Sequence, residues 1–299
     1  MLYNFFKKKE LQHNVPLYRK LGLNKKYYSS VSSRDFTNVD EKILTSSSNK
    51  PKLKDLSFYK DAPDGSKDNL DEFWNNGFCL IEKYKNGDTV NKINEEIEKL
   101  RENGQLDFEY GNKLMFAVHK SAFLKEIWED EKLNELLDYL IGGSAKLFQS
   151  INFINGSEQH THSDSIHMTT FPLGGLLGVW LALEDVDIDS GPLHYYPGSH
   201  KLPYYLNSDY DNDGNSLLIG PHGYDAYEKM LAEKIKDEQI EKKVFLAKKG
   251  DLFIWHANLL HGGEPQLDKN KTRKSMVMHY FDANRICYHE ISQRPAFIG

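Results

Sequence analysis

The feature that most constrains this chain is a His-x-Asp pair placed directly ahead of an apolar segment. His162 and Asp164 are followed by the mostly apolar residues 171–183. Side chains two positions apart in extended backbone point to the same side, so an imidazole nitrogen and a carboxylate oxygen can reach one metal ion. His160 is in phase with them, but at about 3.3 Å per residue a straight strand separates positions four apart by roughly 13 Å. We therefore expect the third ligand to come from elsewhere in the chain.

A second histidine motif supplies the candidate for that ligand. His261 follows an apolar, strand-like segment, residues 250–256, and precedes two glycines. Two histidines and one carboxylate leave positions open on non-haem Fe(II) for a bidentate cosubstrate and dioxygen. Further along, Arg273 and Ser275 are two positions apart in another alternating segment, so they point the same way. A guanidinium beside a hydroxyl is suited to binding a carboxylate.

Taken together, these motifs resemble the phytanoyl-CoA dioxygenase family of Fe(II)- and 2-oxoglutarate-dependent oxygenases. The resemblance extends over residues 148–281. Besides the two histidine motifs and the arginine-serine pair, it includes segments 179–185 and 190–201. No single motif is specific, but the combination is.

The resemblance implies two sets of site residues. Iron is expected to be bound by two histidines and an aspartate, and 2-oxoglutarate by an arginine, a serine and a tryptophan: His162, Asp164 and His261 for the metal, and Arg273, Ser275 and Trp180 for the cosubstrate. The arginine follows the distal histidine by one residue more than the family pattern, which leaves Lys274 as the alternative.

The reaction implied by the resemblance is oxidation of a small molecule by dioxygen, with release of succinate and CO2 and with ascorbate as a stimulant. Hydroxylation is the default outcome, because a halogenase of this superfamily has a small residue at the position of Asp164. Desaturation or oxidative cyclisation of an amino-acid-derived, kainoid-type precursor is the alternative. A rival from another class is a cupin-like metal-binding domain without 2-oxoglutarate, since residues 160–162 and 191–200 faintly resemble cupin motifs.

The order of periodic segments predicts an α+β fold. Helical spacing covers residues 70–74, 90–100 and 133–141, and short strand-like segments follow at 147–154, 176–183, 193–196, 243–246, 251–256 and 273–281. Helices followed by strands favour a double-stranded β-helix, a jelly-roll barrel buttressed by helices. We assign residues 1–65 to an N-terminal arm, packed on the domain or partly mobile, and residues 66–299 to one dioxygenase domain with a lid-like insertion at 201–242.

Alternation along residues 176–183 gives this strand two different faces. Gly178, Trp180 and Ala182 share one face, and the leucines and valine between them share the other. We expect the aliphatic face to pack against helices and Trp180 to form a wall beside the cosubstrate. The alternative is that Trp180 only fills the barrel.

The substrate itself is not specified by any motif. His160, His167 and Tyr195 flank the metal motifs and are candidates for contact with it. The insertion 201–242 should border whatever lies over the metal, because a jelly roll presents its metal at one open end. The remaining histidines, including His256 and His279, are expected to pack or to form hydrogen bonds rather than to bind metal.

Composition limits the partners. A net charge of -6 argues against a nucleic-acid partner, and the longest apolar segment is shorter than the roughly 20 residues that span a bilayer. Only Cys79 and Cys287 are present, which favours a reducing compartment. We expect a soluble, cytoplasmic protein that acts on a small molecule. Organellar targeting by residues 1–30, which carry only one acid, remains the alternative.

Overall fold

The computed structural model describes residues 2–44, 51–212 and 223–298. Within these ranges the strands are β1 (Phe78–Ile81), β2 (Phe108–Glu109), β3 (Lys113–Met115), β4 (Ala145–Phe153), β5 (Thr169–Phe171), β6 (Leu176–Ala182), β7 (Leu193–Tyr195), β8 (Lys243–Phe245), β9 (Leu252–His256), β10 (His261–Gly263), β11 (Ser275–Asp282), β12 (Ile286–His289) and β13 (Arg294–Pro295).

Helices occupy most of the chain ahead of β4 and one long stretch between β7 and β8. They are α1 (Leu2–Phe5), α2 (Lys8–Leu11), α3 (Val15–Lys20), α4 (Ser57–Asp61), α5 (Asp64–Asp71), α6 (Phe73–Asn76), α7 (Gly87–Glu102), α8 (Ala117–Lys120), α9 (Ala122–Trp128), α10 (Glu131–Ile141), α11 (Asp164–His167) and α12 (Tyr224–Asp237). Short 3-10 helices lie at Gln12–Asn14, Ser33–Phe36, Glu41–Ile43, Leu53–Asp55, Ser199–Lys201 and Asn207–Tyr210.

Capping residues in the sequence explain the ends of α7 and α10, the two longest helices that precede β4. Helix α7 begins after Asn86, whose side chain accepts a hydrogen bond from the backbone N–H of Thr89. Helix α10 is capped in the same way by Asp130 and ends at Gly142, which adopts φ +72°. Both helices bury an apolar face against the sheet, as their periodicity predicts.

A seven-stranded antiparallel sheet forms the frame of the molecule. Its strand order is β1-β9-β6-β11-β4-β3-β2, and two three-stranded sheets, β10-β7-β8 and β13-β12-β5, complete the β-structure of the described residues. Neighbouring strands are far apart in sequence, so the metal motifs, which follow β4 and β9, are brought together by the sheet order rather than by local chain contacts.

The central strands separate two apolar cores. On β6, Leu177, Val179 and Leu181 pack with residues of the helices, whereas Trp180 and Ala182 belong to a second cluster on the opposite face. Strands β9 and β11 alternate in the same way. The predicted two faces of residues 176–183 are therefore confirmed, and the aliphatic face packs against helices.

The second cluster fills the space between the large sheet and the sheet β10-β7-β8. The Phe245 ring of β8 lies 5.9 Å from the ring of Trp180 and 5.2 Å from that of Phe253, centroid to centroid. Two sheets that face each other across an apolar interior, with helices on the outer face of the larger one, form the predicted α+β double-stranded β-helix.

The N-terminal residues contact the sheet β13-β12-β5. Tyr18, Val31 and Phe36 are buried with residues of β12, and the Asn14 side chain forms hydrogen bonds with both the N–H and the carbonyl of Cys287. Closer to the predicted boundary at residue 65, residues 56–62 contribute to the same apolar cluster as α7 and α10. Among the described helices, none combines the length and apolar character required to cross a membrane.

Removing part of the core between sheet and helices should destabilise the fold. Leu181 is fully buried on β6. We expect Leu181→Ala to lower the free energy of unfolding by about 2–5 kcal/mol, because it leaves a cavity that the neighbours fill only in part. Urea denaturation measures this loss. Leu246→Ala, at a side chain that is 48% exposed, serves as the control and should change stability by less than about 0.5 kcal/mol. Equal losses in both variants would contradict this packing.

Candidate active site

The two predicted histidine motifs meet through their backbones. His162 and His261 form an isolated antiparallel bridge in which each backbone N–H donates to the other residue's carbonyl at 2.9 Å. This pairing places the two imidazole centroids 4.6 Å apart. Asp164 Oδ1 lies 4.0 Å from Nε2 of His162 and 3.7 Å from Nε2 of His261. The three candidate ligand atoms all lie within 4.8 Å of one another, and all three residues are buried.

The two imidazoles are oriented by backbone carbonyls. Nδ1 of His162 lies 2.8 Å from the carbonyl oxygen of His160, and Nδ1 of His261 lies 3.0 Å from that of Leu259. A carbonyl oxygen only accepts, so each Nδ1 must carry the proton, and each Nε2 lone pair is free to bind a metal. Burial, followed by the nearby His261, holds the pKa of His162 well below its ordinary value, which keeps the ring neutral.

The aspartate is held by two further side chains. Its second oxygen, Oδ2, accepts a hydrogen bond from Nε1 of Trp255 at 2.7 Å and lies 3.6 Å from Nε2 of His279. Burial opposes ionisation of this carboxyl, but the adjacent His261 and His279 lower the pKa of Asp164 well below its ordinary value. An aspartate oxygen beside the Nε2 atoms of two histidines is a set of oxygen and nitrogen donors that suits Fe(II).

The local backbone differs from the extended segment that we predicted. Asp164 is the first residue of α11, and only Ser163, with φ -103° and ψ +148°, is extended. One extended residue is enough to turn both neighbouring side chains to the same side. The side chain of His160 is exposed and does not line the cavity, so contact of this side chain with substrate is not supported.

Arg273 lies two residues ahead of Ser275, the first residue of β11. Its side chain lines a cavity that also contains His162, Asp164 and His261. Its guanidinium lies 5.4 Å from the ring of Phe153 and 5.9 Å from that of Trp180, and Nη1 donates to Ser275 Oγ at 2.8 Å. The side chain is 2% exposed and its Nε has no hydrogen-bond partner. Burial lowers the pKa of Arg273 to about 10, which leaves it charged at neutral pH. A buried cation with an unsatisfied donor suits an anionic ligand.

Lys274, the alternative, does not enter the cavity. Its backbone N–H donates to Glu184 at 2.6 Å on the other side of the strand, and its side chain is absent from the cavity wall. The extra residue in the spacing therefore does not change which side chain faces the site.

A single cavity of about 620 Å³ connects the three clustered residues with Arg273 and Trp180. Of the predicted substrate contacts, His167 lines this cavity, whereas Tyr195 does not. The Tyr195 ring instead packs against Phe78 at 4.7 Å and against Phe253, within the barrel.

The sequence reasoning did not place several polar lining residues in the site, among them Lys113, Trp255 and His279. His279 lies four positions after Ser275 on β11, so period-two alternation could have placed it on the same face. Lys113 belongs to a three-residue strand with no recognisable motif. Trp255 was interpreted only as part of an apolar strand.

The insertion contacts the metal motif directly. The Tyr224 hydroxyl of α12 lies 3.1 Å from Nε2 of His167, and the buried Tyr227 hydroxyl accepts a hydrogen bond from the backbone N–H of Ser163 at 3.2 Å. Ser163 separates two of the clustered residues. Residues 213–222 of the insertion lie outside the described residues.

Comparisons with known proteins agree with this geometry. The family model of phytanoyl-CoA dioxygenase (PhyH) matches residues 73–275. A "phytanoyl-CoA dioxygenase domain-containing protein 1 homolog" of Dictyostelium discoideum is 27% identical over 190 residues, which are 60% of this chain and 62% of that protein. The chain thus matches less than two thirds of that relative's length.

Solved structures share the fold. The non-heme alpha ketoglutarate dependent carbocyclase SnoK from nogalamycin biosynthesis superposes with a TM-score of 0.62 at 16% identity, covering 81% of this chain and 90% of that one. The epimerase SnoN, solved in complex with Fe3+, alpha ketoglutarate and nogalamycin RO, gives a TM-score of 0.55 at 18% identity over 77% of this chain and 86% of that one.

The fold and the site together define a jelly-roll protein of the two-histidine, one-carboxylate class. With two thirds of its residues matched by the family model, the chain belongs to the phytanoyl-CoA dioxygenase family.

Metal binding tests the cluster. His162→Ala, Asp164→Ala and His261→Ala should each weaken Fe(II) binding by at least about 100-fold, since loss of residues that only support ligands already costs about 10–100-fold. Anaerobic Fe(II) titration measures the affinity, and circular dichroism checks that the barrel stays folded. His256→Ala is the control and should bind Fe(II) as the wild type does. Wild-type affinity in the His261 variant would remove that residue from the site.

Proposed function

We propose that this chain is a non-haem Fe(II)- and 2-oxoglutarate-dependent dioxygenase that oxidises a small organic molecule, with hydroxylation as the outcome and succinate and CO2 as co-products. One observation carries the proposal: a buried pair of histidines with an aspartate shares one cavity with a buried arginine. Family membership and the fold it shares with alpha ketoglutarate dependent enzymes support it.

His162, Asp164 and His261 would hold the iron. Three protein ligands leave the remaining positions for a bidentate cosubstrate and dioxygen. When bound there, iron and 2-oxoglutarate supply the oxidising chemistry, and the protein supplies binding, orientation and exclusion of water. The lowered pKa values of His162 and Asp164 favour a neutral imidazole and an ionised carboxylate, the protonation states in which these groups bind a metal.

Arg273 and Lys113, two of the cationic side chains that line the cavity, favour a dianionic cosubstrate. The Arg273 guanidinium, whose Nε has no hydrogen-bond partner, lies beside Ser275 and near the rings of Phe153 and Trp180. Lys113 lines the same cavity within electrostatic reach of Asp164, and burial lowers its pKa. It forms no ion pair with another described residue. We assign Arg273 to the far carboxylate of 2-oxoglutarate and Lys113 to the carboxylate nearer the metal. A cupin-like domain without this cosubstrate has no use for the buried Arg273.

The test of the proposed function is spectroscopic and needs no organic substrate. Anaerobic addition of Fe(II) and 2-oxoglutarate should produce a weak charge-transfer absorption band in the visible, because the keto acid chelates the metal. Slow succinate release on admission of air should follow. Absence of both the band and succinate from a folded, iron-loaded protein would reject the proposal.

Substitution of the inner cation should affect the cosubstrate selectively. Arg273→Ala is expected to raise the 2-oxoglutarate concentration at half-maximal band intensity at least about tenfold, since losing one partner of a buried charge pair costs about 2–5 kcal/mol. Fe(II) affinity without 2-oxoglutarate should change little. Lys274→Ala is the matched control, one residue away and outside the cavity. If the lysine variant shows the larger shift, the assignment of Arg273 is wrong.

The contacts of α12 support a lid function for the insertion 201–242. The helix touches the rim of the cavity at His167, and its Tyr227 is bonded to the backbone between two metal-site residues. We assign to this segment the choice of substrate, while the barrel determines the reaction class. An organic molecule bound over the metal would lie beside Tyr224 and His167.

Removal of the Tyr227 hydroxyl should weaken the attachment of α12 to the backbone at Ser163. Tyr227→Phe leaves the buried Ser163 N–H without its acceptor, so we expect destabilisation by about 1–3 kcal/mol. Hydrogen exchange at Ser163 should accelerate. Thermal unfolding and exchange measured by mass spectrometry report the two effects. Tyr205→Phe, in the same insertion, should leave both unchanged. Unaltered exchange at residues 162–167 in the Tyr227 variant would show that the helix does not hold this turn.

A further inference from the structure

The geometry points to a positioning role for Trp255: its indole engages one oxygen of Asp164, so that the aspartate presents only its other oxygen to the metal. Gly178 provides the space in which the indole lies. The inference rests on the proposed function, because it concerns the metal that this function requires, but it assigns roles to residues that are not themselves ligands.

The two oxygens of Asp164 have different surroundings. Oδ1 faces Nε2 of both His162 and His261, at 4.0 and 3.7 Å. Oδ2 accepts the Trp255 hydrogen bond at 2.7 Å. A hydrogen bond to an ionised carboxylate is among the stronger ones in proteins, particularly when both groups are buried, as here. An oxygen held in this way cannot turn toward the metal without losing the bond, so binding through a single oxygen is favoured.

One-oxygen binding is what the proposed chemistry needs. A carboxylate that chelated through both oxygens would occupy a position required by the cosubstrate or by dioxygen. Trp255 also contacts a second ligand, since its ring lies 4.8 Å from that of His261, centroid to centroid. The indole therefore fixes two of the three ligands relative to each other.

The position of the indole depends on Gly178. Strands β6 and β9 pair Gly178 with Trp255 in register. A Cβ atom at Gly178 would lie 2.2 Å from Cε2 and 2.6 Å from Nε1 of the indole, far inside van der Waals contact. The backbone of Gly178 does not adopt a positive φ. Glycine is thus required at position 178 because the Trp255 indole occupies the space that a side chain would fill. Nε1, the indole atom that donates to Asp164, is among the atoms in this space.

The experiment is a double-mutant cycle read out by metal binding. Co(II), a probe whose visible spectrum reports coordination geometry, is titrated anaerobically into the wild type, Trp255→Phe, Gly178→Ala and the double variant. We expect Trp255→Phe to weaken Co(II) binding about tenfold or more and to change the spectrum, because Oδ2 loses its hydrogen bond from the indole and retains only His279, 3.6 Å away. Gly178→Ala should act in the same direction by displacing the indole. In the Trp255→Phe background, Gly178→Ala should have little further effect.

Trp128→Phe is the matched control. It removes another fully buried indole, one that does not line the cavity, and should leave Co(II) affinity and spectrum unchanged. Wild-type affinity and spectrum in Trp255→Phe would overturn the inference, and additive effects of the two substitutions would overturn the role of Gly178. If the wild type itself binds no Co(II), the proposed function fails instead.

A second measurement keeps the inference testable if the Trp255 variant does not fold. The chain contains 4 tryptophans, so the indole N–H signals of protein labelled with 15N-tryptophan are few and resolvable. We expect Asp164→Ala to shift one signal strongly and to speed its exchange with solvent, and Zn(II) binding to the wild type to shift that same signal. An Asp164→Ala spectrum in which no indole signal moves would overturn the inference.

Discussion

The site depends on one short piece of backbone pairing. Two reciprocal hydrogen bonds join His162 to His261, which are far apart in the chain. These hydrogen bonds hold the two imidazoles side by side, so that both Nε2 atoms lie within 4.0 Å of Asp164 Oδ1. The pairing joins the segment that follows β4 to the first residue of β10, a strand of the sheet β10-β7-β8 that faces the large sheet.

The alternation of the central strands explains why so much of this arrangement was predictable. Because side chains along a strand alternate between its two faces, the helix-facing leucines of β6 are separated from Trp180. The same alternation places Arg273 and Ser275 on one face of their strand. The jelly-roll class, the clustered ligands and most strand bounds follow from such local patterns. His279 lies four residues after Ser275, so the same alternation predicts that it faces the cavity. We instead expected it to pack or to form hydrogen bonds.

Other features depend on contacts that no local pattern contains. The bond between Trp255 and Asp164 requires the register of β6 against β9 and the helical turn at Asp164, neither of which shows in residue spacing. Tyr195 was predicted to lie near the metal pair, but its ring packs against Phe78 within the barrel. Lys113 reaches the cavity only because β3 pairs with β4 at the edge of the large sheet.

The hydroxyl of Tyr227 has a mechanical consequence. Its partner is the peptide N–H of Ser163, whose neighbours on either side are His162 and Asp164. A displacement of α12 has to break that bond or carry the peptide with it, and a rotated peptide changes the angle between an imidazole and a carboxylate. In the lid role that we propose for the insertion, a movement of α12 that admits an organic molecule would therefore also alter the relative orientation of His162 and Asp164.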